Sequence, residues 1–148
     1  MSELEVQKII ESNEIIQDLK NHSCALALKW CSSNKSKLVK IKSKLELKLA
    51  LQQFIEFVKK NQKKEAIAYI KTKSDVTEAN LDDLQKAMGC LTYYPNIERF
   101  PAYEYYFQDE RWKDLVALFK KENYKIFSLT TYSQFNVSLQ VLLFRFKF

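Results

Sequence analysis

The chain contains very little glycine and proline. Gly89 is its one glycine, and Pro95 and Pro101 are its two prolines, in 148 residues. Tight turns between β-strands usually need glycine or an Asn-Gly or Asp-Gly pair, and no such pair occurs. A glycine-rich phosphate-binding loop is excluded by the same scarcity. We therefore predict an all-α protein, in which helical hairpins pack into a bundle and short polar loops join them.

Histidine and cysteine, which often carry covalent chemistry or bind metals, are also scarce. The single histidine, His22, lies at a predicted helix entry, where a hydrogen-bonding or exposed imidazole is expected rather than a catalytic base. The cysteines Cys24, Cys31 and Cys90 lack the paired, closely spaced pattern of a structural zinc site. Cys24 and Cys31 are seven residues apart on an apolar helix, which is typical of small core residues. We predict no catalytic residue, no metal and no cofactor, and hence a non-catalytic segment.

The positive charge is carried almost entirely by lysine. The net charge of +6 includes 21 lysines and three arginines, whereas specific phosphate or base recognition favours arginine. Residues 35–48 hold six lysines, but Leu38, Ile41 and Leu45 interrupt them at helical spacing. This pattern favours a solvated helix face over a phosphate-binding patch. A basic helical module that binds nucleic acid or acidic partners is therefore the alternative function.

Long apolar runs and secretory features are absent from the sequence. No run of 18 apolar residues occurs, so we expect no membrane span. The first ten residues are amphipathic and acidic, unlike a secretory signal. An odd number of cysteines without such a signal indicates free thiols in a reducing compartment. We expect the protein in the cytoplasm and the nucleus.

Apolar periodicity places helices in the first half of the chain. Residues 3–20 predict one or two short helices, with Ser12 as the cap of a second piece, and Ser23 is placed to cap the next helix. Ser43 and Glu46 have the spacing of a capping box, in which each side chain accepts the other residue's backbone N–H. The long helix that follows should end near Asn61.

The second half is also predicted to be helical. Residues 63–71 should pack against the long helix as an antiparallel hairpin. Gly89 lies inside a helical pattern, which indicates that a neighbouring helix approaches closely. Asp109 is placed to cap a helix that ends near Tyr124. The apolar stretch Phe135 to Phe148 is interpreted as a further helix, because little else in the chain could supply a sheet partner.

Several separate motifs resemble the CTLH motif (C-terminal to LisH) and the CRA region that follows it. The resemblance covers residues 16 to 145, with the motifs in the family's order. The residues that carry it are Leu26 to Trp30, Asn34 to Leu38, Leu45-Glu46, Gln52 to Glu56, Asn61, Glu65-Ala66, Ala87 to Gly89, Arg111-Trp112, Phe119, Asn123-Tyr124, Phe135 and Leu139-Gln140. They look most like the macrophage erythroblast attacher (MAEA) type of subunit of the GID/CTLH ubiquitin ligase.

The resemblance implies a protein–protein interaction scaffold within a ubiquitin ligase complex that directs protein degradation. In that family an attacher-type subunit pairs with a second, RING-type subunit, and self-association is the other partner option. The implied organisation is an N-terminal helix without a complete LisH motif (1–15), a CTLH region (16–73) and a CRA-like region (74–148). The family's RING-like zinc-binding domain is not matched in this sequence, so the segment would supply scaffolding alone.

Broad apolar helix faces mark candidate partner contacts. The helical spacing selects one face on the long helix and another in the C-terminal stretch. A filled core of a monomer is the competing interpretation of both faces, because spacing alone does not say what covers them. The candidate residues are Leu47, Leu51, Phe54, Leu139, Leu142 and Leu143.

Overall fold

A computed structural model describes residues 2–73 and 81–146, with side chains described as far as residue 128. These residues form helices and contain no strand, which confirms the predicted all-α bundle. Within these described ranges the eight α-helices are α1 (Glu3–Lys20), α2 (Ala25–Ser33), α3 (Lys35–Lys40), α4 (Leu45–Lys59), α5 (Lys63–Thr72), α6 (Leu81–Tyr93), α7 (Pro101–Glu104) and α8 (Glu110–Phe146). Short 3-10 turns at Ile97–Arg99 and Tyr105–Phe107 flank α7.

The first core lies where α1, α2, α3 and the start of α4 pack around α8. Trp30 of α2 meets Phe119 of α8 edge to face, with ring centroids 5.0 Å apart. Phe119 is fully buried, and Trp112 and Leu115 lie beside it on the same side of α8. Aromatic pairs in this geometry add about 0.5–1.5 kcal/mol beyond the area that they bury. This core joins both ends of the chain.

The second core is built by α5, α6 and the 3-10 turn Tyr105–Phe107 around the second half of α4. Phe54, Ile55 and Val58 of α4 are fully buried there, against Ala66 of α5. The boundaries of α5 agree with the predicted hairpin partner at residues 63–71. The hairpin prediction is confirmed by the extensive packing of α5 on α4.

Helix α4 connects the two cores. Its first turns place Leu45 and Leu49 in the first core, whereas Leu51 and Phe54 lie in the second. The same helix also carries Gln52, a fully buried amide whose nitrogen donates to Glu56 at 3.0 Å. A helix buried on most sides explains why its apolar pattern is wider than a single stripe.

Three helices end in the same way, and none of them uses glycine. His22, Lys42 and Asn61 follow α1, α3 and α4 with φ of 61°, 53° and 59°, in the left-handed region. In each case this residue's N–H donates to the carbonyl three residues back, and the next N–H donates to the carbonyl five residues back. This is the Schellman arrangement, which normally recruits glycine. These three helices therefore end on non-glycine residues in a conformation that is unfavourable for most side chains and that asparagine tolerates best.

The capping predictions in the first half of the chain are wrong in instructive ways. Ser43 donates its backbone N–H to the carbonyl of Leu38 at 3.0 Å, so that N–H is engaged and no capping box with Glu46 forms. The Ser43 hydroxyl accepts the N–H of Leu45 instead, and α4 begins at Leu45. Ser12 caps nothing, because α1 is one continuous helix.

The free backbone N–H groups at the starts of α1 and α2 are hydrogen-bonded by residues other than the predicted ones. A capping box that the sequence reading missed joins Ser2 and Glu5, each accepting the other's N–H at 3.2 Å. Cys24, not Ser23, occupies the cap position of α2. The Ser23 hydroxyl still accepts one free N–H of that helix, and Asp18 of α1 accepts that of Leu26 at 3.1 Å.

Gly89 faces the close approach that its position predicted. A Cβ atom there would overlap the ring of Tyr103, which belongs to the four-residue helix α7. That ring lies in an aromatic group with Tyr93 and Phe100, at centroid distances of 5.9 and 6.0 Å. The neighbour is therefore an aromatic ring and not the backbone of a long helix.

Helix α8 is longer than predicted. It begins directly after Asp109, as expected, but continues through Tyr124 to Phe146 without interruption. No glycine or proline occurs after Pro101, so the sequence offers no strong breaker in this stretch. The candidate residues Leu139, Leu142 and Leu143 belong to α8, but their side chains lie outside the described ones. Among the described residues, no helix has the length and apolar character that a membrane crossing requires.

Candidate interaction surface

Helices α1 and α8 form an antiparallel pair that joins the two ends of the chain. His22, just after α1, meets Trp112 near the start of α8, and Ser12 meets Asn123 one-third of the way along it. The buried residues Ile15 and Leu19 face the first core on this side. The pairing leaves the N-terminal half of α1 at the edge of the bundle.

The histidine of the chain is a packing residue in this pair. Its ring stacks on Trp112 with centroids 5.0 Å apart and planes inclined by 4°. Its Nε2 lies 4.0 Å from an Asp109 carboxylate oxygen that is well exposed to solvent. The stack on Trp112 and the left-handed backbone conformation fix the His22 ring at the contact between α1 and α8.

Four large apolar side chains of α1 are exposed to solvent. The exposed fraction is 67% for Leu4, and it lies between 42% and 46% for Val6, Ile9 and Ile10. The buried residues of α1, Ile15 and Leu19, lie in its C-terminal half. Exposed apolar residues grouped on one element are a common feature of protein interaction sites. Val6, Ile9 and Ile10 fall within about 100° of the helix circumference, and we name these three residues the α1 apolar face; Leu4 lies on the other side of the helix.

Two of the three candidate contacts on α4, Leu51 and Phe54, are buried inside the protein. Leu51 and Phe54 have exposures of 1% and 0%, and Leu47 is half-buried against the second core. The structure therefore assigns Leu51 and Phe54 to internal packing between α4, α5 and α6. The α1 apolar face, which spacing did not select as a partner contact, is where the described residues expose grouped apolar surface.

Arg111 is a buried cation that organises the junction between α8 and the turn before it. It is 4% exposed, and its guanidinium carbon lies 4.6 Å from the ring centre of Tyr106. The neighbouring Tyr105 hydroxyl donates to the Asp114 carboxylate. Burial raises the pKa of Tyr106, so this ring stays neutral beneath the cation. Cation–π stacking of this kind stabilises a desolvated guanidinium by up to about 2 kcal/mol.

The three cysteines are buried thiols. Burial is the main cause that raises the pKa of each, from 9.0 to about 12. Cys24 and Cys31 belong to the first core and Cys90 to the second, where its Sγ lies 3.9 Å from the carbonyl of Tyr103. Because the thiolate is the nucleophile and the metal ligand, these thiols are inert at neutral pH. Within the described ranges, no group of three His, Cys, Asp or Glu side chains is arranged to hold a metal ion.

Comparison with known proteins identifies the family. The family model for the CTLH/CRA C-terminal to LisH motif domain matches residues 8–148. A protein MAEA homolog from Arabidopsis thaliana is 35% identical over 88% of the chain and 32% of its own length. Protein FYV10 from Coccidioides immitis is 33% identical over 87% of the chain, and protein FYV10 from Yarrowia lipolytica is 36% identical over 66%.

The matched region is one part of these longer relatives. The chain spans about a third of the length of the first two and 17% of the Yarrowia lipolytica protein. The match includes α8, whose Trp112 lies in the first core and whose Asn123 makes the hydrogen bond to α1. This chain belongs to the CTLH/CRA family, and it corresponds to the CTLH/CRA region of MAEA-type proteins.

Proposed function

We propose that this chain is a scaffolding part of a GID/CTLH ubiquitin ligase subunit and pairs with a second, RING-type subunit of that complex. Family membership supports the assignment to such a complex. The single structural observation that supports a docking role is the α1 apolar face. Ubiquitin transfer would be a property of the assembled ligase, to which this segment contributes position rather than chemistry.

The nature of the exposed residues favours a protein partner. Val6, Ile9 and Ile10 have hydrocarbon side chains without polar groups, and their removal from water contributes about 25 cal/mol per Å² of apolar area. Association must also offset the lost freedom of two bodies, so a few side chains in one well-packed patch carry the affinity. The α1 apolar face offers such a patch on a regular helix, whose backbone needs no reordering to bind.

The division of the chain into regions is part of the same proposal. A CTLH region at 16–73 and a CRA-like region at 74–148 would meet in both cores, because α8 packs on α1 and α4. Truncation at residue 73 would therefore expose Leu45 and Leu49 of the first core as well as the second core. We propose that the two regions act as one folded unit in the complex.

The experiment is co-expression of the chain with a RING-type CTLH-family subunit, followed by affinity purification and mass measurement in solution. We expect a stable complex with the unaltered chain. The double variant Val6→Glu, Ile10→Glu should weaken capture at least about tenfold, since two carboxylates would have to be desolvated at the contact. The matched control is Val39→Glu, Leu81→Glu, which alters exposed apolar residues on other helices.

The outcomes separate docking from simple family membership. A chain that stays monomeric and captures no such subunit contradicts the scaffold proposal. Equal capture by both double variants contradicts the role of α1 in it. Far-ultraviolet circular dichroism of each variant checks that the helices are retained.

A further inference from the structure

A groove between α1 and α8 combines an apolar floor with a basic rim. It has a volume of about 470 Å³ and runs past the Ser12–Asn123 hydrogen bond. Its apolar walls come from Ile9 of α1, Trp30 of α2 and Phe127 of α8. We propose that this groove binds an acidic amphipathic helix of a partner protein; the proposal rests on the scaffold function above and names the chemistry of the partner.

The rim of the groove is positively charged. Lys8, Lys37 and Lys120 line it from three different helices, and Glu11 is the one carboxylate among the described residues that line it. None of the three lysines forms an ion pair with a carboxylate in the part of the chain that the structure describes. Three unpaired cations against one anion attract a negatively charged ligand and increase its association rate at low salt.

The distribution of charges on α1 favours an acidic helix over a basic one as the ligand of the groove. Beyond Asn13, which borders the groove, α1 also forms a shallow depression lined by Glu14 and Asp18, with no lysine among its described lining residues. The charged residues that line the groove are mainly lysines and those that line the depression are carboxylates, so the two surfaces attract ligands of opposite charge. This difference selects the charge of a ligand and its orientation on α1. A basic helix would be attracted to the Glu14 side, so the lysine-rimmed groove is the side for an acidic helix.

The helical spacing of the residues that line the groove indicates that its ligand is a helix. The groove lies between two antiparallel helices, and the residues of α8 that line one wall include Lys120, Asn123, Tyr124 and Phe127, spaced at i, i+3, i+4 and i+7. A ligand that presents apolar side chains with the same period matches this wall along its length. Glutamates flanking the apolar stripe would then meet the rim lysines.

The first test uses labelled synthetic peptides and the full 148-residue chain. One 15-residue peptide carries leucines along one helical face and glutamates on the rest, and the matched peptide has lysines in place of the glutamates. Fluorescence anisotropy should show binding of the acidic peptide that weakens as salt rises, and at least about tenfold weaker binding of the basic peptide. Equal affinity for both, or no binding of the acidic peptide, overturns the proposal.

The second test alters the rim. Lys37→Glu, Lys120→Glu should weaken binding of the acidic peptide at least about tenfold. The matched control, Lys64→Glu, Lys71→Glu, makes the same change of charge on exposed positions of α5 and should leave the affinity within about twofold. Equal loss in both variants would assign the effect to net charge and overturn the groove as the site.

The peptide assay is independent of any ligase subunit, so the two proposals fail separately. Loss of subunit capture with intact peptide binding contradicts the scaffold function alone, and intact capture without peptide binding contradicts the groove alone. A second copy of this chain is the other occupant to check by mass measurement over a range of concentrations. Self-association that the Lys37→Glu, Lys120→Glu variant abolishes would replace the acidic partner with a second copy and overturn the proposal.

Discussion

The amide nitrogen of Asn123 donates a hydrogen bond of 2.9 Å to the hydroxyl of Ser12, 111 residues earlier in the chain. The same hydroxyl donates to the carbonyl of Lys8 at 2.8 Å, so Ser12 uses both its donor and an acceptor site. This bond fixes α1 against α8 at the base of the groove. The family motif residue Asn123 thus holds in place the helix that exposes the α1 apolar face.

Loss of the Ser12–Asn123 hydrogen bond should lower the free energy of unfolding, and the effects of changing its two partners should be coupled. Ser12→Ala and Asn123→Ala should each reduce the free energy of unfolding by about 1 kcal/mol, because a half-buried partner loses its hydrogen bond. In the double variant the losses should be less than additive by about 0.5–1 kcal/mol. Urea unfolding measures all three.

The control for this comparison of single and double variants is Ser32→Ala. Its hydroxyl bonds only the carbonyl of Leu28 within α2 and is exposed, so the change should stay within about 0.5 kcal/mol. Strict additivity of Ser12→Ala and Asn123→Ala would contradict the α1–α8 bond.

A glycine at a strained helix end should stabilise the protein. Lys42 has φ of 53°, where a side chain costs about 1 kcal/mol and glycine costs little. Lys42→Gly should therefore raise the free energy of unfolding by about 0.5–1 kcal/mol, measured by thermal or urea unfolding. Lys29→Gly, inside α2, should lower it by about 1 kcal/mol. If both glycines destabilise equally, the left-handed conformation of Lys42 is wrong.

Gly89 and Tyr103 should show opposite effects in single and double variants. Gly89→Ala should destabilise by about 1–3 kcal/mol, because the new methyl group must displace the Tyr103 ring. In a Tyr103→Ala background the space is free, so the same change should stabilise by up to about 1 kcal/mol through helix propensity. An unchanged sign in the two backgrounds would contradict the contact.

The buried thiols predict an alkaline limit of stability. Burial raises the pKa of Cys24, Cys31 and Cys90 from 9.0 to about 12, so the folded state binds these protons more tightly than the unfolded state. Their contribution is complete below pH 9 and is lost as the pH rises through about 12. We expect the free energy of unfolding to fall over that window, and less steeply when all three cysteines are alanine.

Thiol reactivity checks the same burial at pH 8. Ellman's reagent should modify the three thiols only after urea unfolds the chain, since the native thiols are protonated and covered. Rapid modification of the native protein would contradict the buried placement.

Features of the fold that are defined by a short stretch of sequence could be predicted, whereas features that depend on neighbouring turns could not. The α5 hairpin partner could be predicted within one residue, because Ala66, Ile70 and the stop at Asn61 define it over a short stretch. The Ser43 capping box could not be excluded from sequence. Its failure depends on the Schellman turn of α3, which engages the Ser43 N–H.

The interaction surface depends on tertiary packing and was harder to predict. An apolar stripe in the sequence does not say what covers it. Leu51 and Phe54 are covered by the chain's own α5 and α6, whereas Val6 and Ile10 are exposed. The two stripes look alike in sequence. Their fates differ because α4 lies between other helices and the first turns of α1 lie at the edge of the bundle.

Hydrogen–deuterium exchange of the chain with and without the RING-type subunit proposed to bind it tests the docking role of α1 most directly. Slower exchange is expected in the first half of α1, because its apolar face becomes covered, while exchange in α5 stays unchanged. Exchange that slows elsewhere and leaves α1 unaffected would contradict the account.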